Sequence, residues 1–278
     1  MSADPAFALD RYLTRIGLRA GRAPNAATLR EVCSAHVHAI PFENLDPLRG
    51  RAPSLEPADV VAKLVHSSRG GYCYEQNTLL ALALRALGFR VTPLMARVVL
   101  GVDSPESRPR THMTLLVDVA GEEHRWLADA GFGVVGGLLE AVPLVTGGEF
   151  RSGPRRHRFV HAPHEGPLDL WVLQAMTGAG GGETWENQYA FTVEPFAAPD
   201  FEVANWHVGT NPRSPFSRRL YAQCTRPGVH RGLDDRRYTE TRDDGDVTER
   251  LIDTDEEARA LLADGFGIVA PADMKLLS

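Results

Sequence analysis

Arg69-Gly70-Gly71-Tyr72-Cys73-Tyr74-Glu75-Gln76-Asn77 is the most informative run in the chain. Two adjacent glycines allow unusual backbone angles or the close approach of another segment. Beyond Cys73, residues 78–87 are strong helix formers, with leucines at 79, 80, 82, 84 and 87, and Gly88 stands where such a helix ends. Cys73 therefore falls at or near a helix N-terminus. The free N–H groups and positive dipole end there favour a thiolate, and the thiolate is the nucleophilic form of cysteine. The same N–H groups suit a developing oxyanion. Read alone, the segment leaves a buried structural cysteine equally open. Cys33, inside a helical repeat, and Cys224, in a predicted strand, read as structural.

A nucleophilic cysteine needs a base, and the base needs an orienting group. His112 opens the predicted strand Met113-Thr114-Leu115-Leu116-Val117-Asp118-Val119. A turn at residues 120–123 leads into a return strand, His124-Arg125-Trp126-Leu127-Ala128-Asp129. If the loop is Ala120-Gly121, His112 lies directly across from Asp129. If it is centred on Gly121-Glu122, Asp129 is a diagonal neighbour on the same face. Either even register brings imidazole and carboxylate within reach, and an odd loop separates them. The order Cys73, His112, Asp129 follows that of papain-like enzymes with Cys, His and Asn.

Around these segments the chain has three textures. Residues 1–88 read helical, with Leu9, Tyr12, Leu13 and Ile16 and then Leu29, Val32, Cys33, His36 and Val37 at helical spacing. Residues 89–200 read as short strands punctuated by Gly and Pro. Residues 201–278 mix short strands (219–223 and 247–251) with a helix that starts at Thr254 and has Glu257 three positions on. The expected class is α+β, with a helical N-terminal part, a β-barrel-like middle and a smaller C-terminal part. At about 150 residues per domain, 278 residues allow one large domain or a few packed small ones. The hydrophobic share of 43% and charged share of 24% exclude a mainly disordered, collagenous or coiled-coil chain. A net charge of −6 argues against nucleic acid or an acidic membrane as partner. No signal peptide is expected, and the sequence has no apolar run long enough to span a bilayer. Three scattered cysteines form no disulfide framework, so a reducing cytoplasm is the expected location.

Other leads are weaker. Gly131-Phe132-Gly133-Val134-Val135-Gly136 matches a dinucleotide fingerprint, but Pro143 leaves little room for a crossover helix and the acidic residue expected further on is missing. Cys33-Ser34-Ala35-His36-Val37-His38 has metal-ligand residue types but no second cluster, so no metal site is expected. The histidines at 157, 161 and 164 beside Arg155, Arg156 and Arg158 read as a solvated loop, and residues 178–182 as a flexible one. Arg213, Arg218 and Arg219 read as surface charge, with phosphate contact as the alternative.

Taken together, these residues resemble the arylamine N-acetyltransferases. Ile40-Pro41-Phe42-Glu43-Asn44-Leu45, the Cys73 segment, Thr111-His112, Asp129-Ala130-Gly131-Phe132-Gly133, Phe201-Glu202-Val203-Ala204-Asn205-Trp206 and Pro212-Arg213-Ser214-Pro215-Phe216 carry the resemblance over about residues 12–220. It implies a cysteine-protease-like three-part fold: a helical bundle with the cysteine (1–88), a β-barrel with His and Asp (89–200) and an α/β lid (201–278). It implies ping-pong transfer of an acetyl group from acetyl-CoA, through a Cys73 thioester, to an aromatic amine or hydrazine, in the manner of xenobiotic metabolism. His112 would move protons and Asp129 would hold the imidazole. By motif position, Phe42, Val98 and Phe132 would line the acceptor pocket, and Thr111, Thr210 and Ser214 would contact CoA. Arg69 and Glu43 would form a buried structural ion pair. Asn211 departs from the family's usual His. A monomer or homodimer is expected, with no metal. The alternatives are a macrolactam-forming amide synthase fed by a carrier-bound thioester, a cysteine hydrolase or transglutaminase-like enzyme, and a dinucleotide-binding regulatory module.

Overall fold

A computed structural model describes residues 7–102, 104–177 and 182–277. Most of the glycine-rich run at 178–182 thus lies outside the described residues. The N-terminal helices are α1 (Leu9–Arg15), α2 (Ala26–Ala39), α3 (Leu45–Leu48), α4 (Pro57–Leu64) and α5 (Cys73–Ala86), with a two-residue strand β1 (Phe42–Glu43) between α2 and α3. Strands β2 (Arg90–Val98), β3 (Arg110–Asp118), β4 (Trp126–Ala128), β5 (Val142–Pro143), β6 (Glu149–Ser152), β7 (Arg155–Ala162), β8 (Leu170–Thr177) and β9 (Thr184–Phe191) follow. They make one antiparallel sheet in the order β5-β4-β3-β2-β9-β8-β7-β6. Its outermost strands, β5 and β6, are consecutive in sequence, so the sheet curls into a nearly closed eight-stranded barrel. The helices α6 (Ala198–Thr210) and α7 (Pro215–Arg218) lead to a second sheet of β10 (Tyr221–Arg226), β11 (Val229–Asp234), β12 (Arg237–Arg242) and β13 (Val247–Leu251). Helix α8 (Asp255–Leu261) closes the chain and runs into a π-helical turn at Leu262–Phe266. The fold is α+β in three parts.

The second sheet is completed from the far end of the chain. β1 pairs antiparallel with β10, with Phe42 opposite Gln223 and Glu43 opposite Ala222. Phe42 also bridges to Gly71, one residue before the helix cap at Tyr72. Residues 42–43 are therefore held between the Cys73 segment and the C-terminal sheet.

Gly70 and Gly71 serve by close approach alone, since neither has a positive φ. A Cβ on Gly70 would lie 1.9 Å from the Pro41 carbonyl oxygen, and one on Gly71 would lie 2.6 Å from the Glu75 carboxylate. Gly88 has φ +95° and ends α5 as the sequence suggested.

Three sequence readings change. Residues 155–162 form β7, and His157 is buried, its Nε2–H donating to Gly136 O at 3.0 Å, so this is no solvated loop. The C-terminal strands β11 and β12 were not foreseen because their alternation is obscured by Arg, Asp and Thr on the exposed face. Residues 198–210 form a full helix, α6, whose apolar spacing is broken by Trp206 and Val203 pointing to solvent.

Candidate active site

Cys73 is the first residue of α5, and Tyr72 is its cap. The cap holds because Glu75 Oε2 accepts from the Tyr72 N–H at 3.1 Å, the reverse half of a capping box. Below it, Arg69 Nε donates to Glu43 Oε1 at 2.7 Å and Lys63 Nζ donates to Glu75 Oε1 at 2.6 Å, with Asp46 paired to both cations. Burial, with Glu43 and Asp46 nearby and Lys63 opposing, pushes the Glu75 carboxyl up to about 7. This network anchors the loop before Cys73 and touches no reacting group.

The hairpin of β3 and β4 pairs Leu115 with Ala128 and Val117 with Trp126. Continued outward, that register sets Asp129 opposite Thr114 and makes it the diagonal neighbour of His112, the second of the two even registers. Only 126–128 hold strand geometry, so the turn is wider than the sequence reading gave. At the other end of β3, Ala96 opposes His112 and Arg97 opposes Arg110, leaving Thr111 as the extra residue of a β-bulge. The bulge brings the Thr111 carbonyl to 3.9 Å from the Cys73 sulfur.

His112 Nε2 lies 2.6 Å from Asp129 Oδ2, with both residues buried. With Nε2 on the carboxylate, Nδ1 is the nitrogen free to serve the sulfur of Cys73, which is among the groups that act on the imidazole. Burial works against a charged imidazole. The Asp129 charge and hydrogen bond, together with Cys73, outweigh it and push the His112 pKa up to about 10. For Asp129, burial works in the opposite direction. The His112 charge, the bond from Asn77 and the Gly131 N–H hold its carboxyl below the usual range.

Asn77 is a further residue of the site, one to which the sequence reading assigns no role. Its Nδ2 donates to Asp129 Oδ1 at 2.9 Å and to Met113 O at 2.7 Å, and its Oδ1 accepts from Ala130 N at 3.1 Å. It lies four residues after Cys73, on the same helix face, and that spacing was the available signal. Tyr189 was also missed. Its ring packs 5.0 Å from His112 and 5.0 Å from Phe132, a contact made by strand pairing across the barrel with no local signature.

Gly131 seats the hairpin on the helix. A Cβ there would lie 2.7 Å from the Cys73 Cα and 2.7 Å from Asn77 Nδ2. Gly131→Ala should therefore push the two elements apart. The expected cost is about 1–3 kcal/mol in stability and about 10²-fold in kcat/KM, read by urea denaturation and steady-state assay. Wild-type values in both would show that the contact has slack.

The remaining predicted residues fall into two groups. Phe42 and Phe132 are nearly buried and border, with Asp129, a cavity of about 30 Å³, room for a water molecule. Gly133, at φ +70°, allows this packing, because a Cβ would meet the Phe42 ring at 2.6 Å. Val98 opposes Tyr189 on β9 and is two residues from Ala96, so it shares a sheet face with His112. Thr210 and Ser214 lie apart, at the corner between α6 and α7. There Thr210 Oγ1 donates back to Trp206 O at 2.7 Å, and Ser214 caps α7. The corner reaches the site through Phe216, whose ring packs 5.8 Å from Phe42 and 6.0 Å from Tyr72. Arg219 pairs with Asp234. Residues 131–136 follow β4 without leading into a helix, which removes the dinucleotide reading. Among the described residues no group of His, Cys, Asp and Glu has the arrangement of a metal site. Cys33 and Cys224 are buried, which pushes both thiols up.

The chain belongs to the N-acetyltransferase family, whose family model matches residues 25–274, and it is an acyltransferase. More narrowly, its relatives are arylamine N-acetyltransferases. The one from Mycolicibacterium smegmatis is 41% identical over 216 residues, 76% of this chain and 74% of that one. The one from Mycobacterium tuberculosis is 35% identical over 268 residues, 95% of this chain and 90% of that one. Among solved structures, the Nocardia farcinica enzyme superposes with a TM-score of 0.87 at 41% identity, covering 96% of this chain and 91% of that one. The Mycobacterium marinum enzyme in complex with CoA gives 0.84 at 33% identity, covering 94% and 92%.

Proposed function

We propose that this protein is an acetyl-CoA:arylamine N-acetyltransferase in which Cys73, His112 and Asp129 carry the chemistry. The observation that carries the reading is the buried carboxylate–imidazole pair of Asp129 and His112, on which the sulfur at the start of α5 acts. In the first half-reaction the Cys73 sulfur, its proton passed to His112, attacks the acetyl-CoA carbonyl. The sulfur–carbon bond of the enzyme thioester forms and that of acetyl-CoA breaks, and His112 returns the proton to CoA. In the second, an aromatic amine attacks the same carbon, and its proton leaves through His112 to the released cysteine. Aromatic amines suit this step because they are unprotonated at neutral pH. Asp129 fixes the ring with Nε2–H toward itself and stabilises the imidazolium.

A thioester lasts only where water is scarce. Cys73 is 5% exposed, and Phe42, Val98 and Phe132 supply an apolar surround, which supports their assignment to the acceptor pocket. Thr111 and the Thr210–Ser214 corner are our assignment for CoA, with Phe216 linking that corner to Phe42. We take residues 1–88, 89–200 and 201–278 as the three working units. Three unpaired cysteines support a cytoplasmic location, and a monomer or homodimer is the working assembly. No helix among the described residues is long and apolar enough to cross a membrane.

Mass spectrometry of the intact protein after brief exposure to acetyl-CoA tests the assignment. One acetyl group should appear, on the peptide containing Cys73, and disappear when an arylamine such as aniline is added. An unmodified protein, or an acetyl group on Cys33 or Cys224, would overturn it.

A further inference from the structure

A second cavity, of about 670 Å³, runs along α5 and is walled by α5, β2, the start of α6 and the loop before α4. Its volume is that of small-molecule sites. Leu82, Val91, Met113, Phe196 and Phe201 make it largely apolar, and none of Cys73, His112 and Asp129 lines it. Among the described residues one cation faces it. Arg85, in the last turn of α5, is half-buried and gives one hydrogen bond, to Val91 O at 3.2 Å. Among the described residues no carboxylate pairs with it, whereas the inward-facing Lys63 and Arg69 each meet acids. Burial lowers its pKa with no acidic group to restore it. Two acids also border the cavity, Glu56 and Glu202, but both are exposed, where water and salt screen them.

A guanidinium set in an apolar wall is best completed by a carboxylate, which accepts two parallel N–H bonds. We propose that this cavity binds an organic carboxylate with an apolar tail, the carboxylate on Arg85 and the tail lying along α5 toward Asn205. From Thr78 to Arg85 the helix extends about 10 Å, enough for a medium-length chain or an aryl-alkyl group. The site is separate from acyl transfer, and its assignment does not depend on that reading.

Calorimetric titration of the whole protein with octanoate, and with the neutral octanamide, tests it. Octanoate should bind saturably at one site, and octanamide at least tenfold more weakly. Arg85→Met, which keeps the apolar stem, should weaken octanoate at least tenfold and leave octanamide unchanged. Cys73→Ala should bind octanoate as the unaltered protein does. Absence of saturable binding, or equal affinity for acid and amide, overturns the proposal. So does loss of binding in Cys73→Ala, which would place the ligand at the acyl-transfer site. Should Arg85→Met fail to fold, the acid-against-amide comparison on the unaltered protein decides alone.

Discussion

Cys73→Ala is expected to give a folded protein that takes up no acetyl group and transfers none, with a rate at least about 10⁴-fold below the unaltered enzyme. The fold should tolerate it. Alanine at the first position of α5 is a good helix former, the cap bond from Tyr72 N–H to Glu75 involves no atom of Cys73, and Gly131 packs against the Cys73 backbone, which is retained. Cys73→Ser should be nearly as inactive, because a serine hydroxyl holds its proton far more tightly than a thiol, and nothing in the site compensates. Arylamine acetylation assayed by CoA release, beside the thermal midpoint, checks both. A Cys73→Ala protein with undiminished transfer would sink the covalent route, and an unfolded one would leave Cys73→Ser to decide.

Asp129→Asn should be almost as damaging, at about 10⁴-fold in kcat, for a reason specific to this site. Asp129 Oδ1 already accepts two N–H groups, from Asn77 at 2.9 Å and from Gly131 at 2.8 Å. In the amide the carbonyl oxygen must stay on those donors, so the NH₂ turns toward His112. Nε2 must then accept, the proton moves to Nδ1, and the nitrogen facing the sulfur cannot take a proton. Stability should report the same change. The His112 pKa is raised in the folded protein to about 10, against about 6.5 unfolded. Its stabilising contribution is therefore complete below about pH 6.5 and lost as pH rises toward 10. Urea midpoints across that window should fall for the unaltered protein from this cause, and Asp129→Asn should lack that part of the slope. Identical slopes would mean that the carboxylate is not what keeps His112 charged.

The local chemistry of the site was legible and its closure was not. Cys73 at the head of a helix ending at Gly88 follows from helix formers and a C-terminal glycine, both short-range signals. The His112–Asp129 pair follows from the two-residue period of strands, which puts both residues on one face in either even register. The two even registers differ by a shift that leaves both residues on one face, so nothing local could choose between them. Tyr189 is out of reach of such reasoning, because it meets His112 only after the barrel curls. The meander of β11 and β12 was hidden because one face of that sheet is polar and solvated, which weakens the alternation on which strand reading rests. His157 was misplaced for a related reason: a histidine among arginines looks solvated, yet every second residue of a strand turns inward. For Gly70 and Gly71 the sequence allows both unusual torsion and close approach, and only their neighbours, Pro41 and Glu75, show that space, not torsion, excludes a side chain there.

The seating of residues 42–43 between Gly71 and β10 has a consequence for how the enzyme is born. Translation delivers Cys73, His112 and Asp129 well before Ala222 and Gln223, the partners that fix Phe42 in place. A growing chain can thus assemble its reactive centre while one side of the surrounding shelter is still missing, because β10, the strand that seats Phe42, is made after all three of its residues.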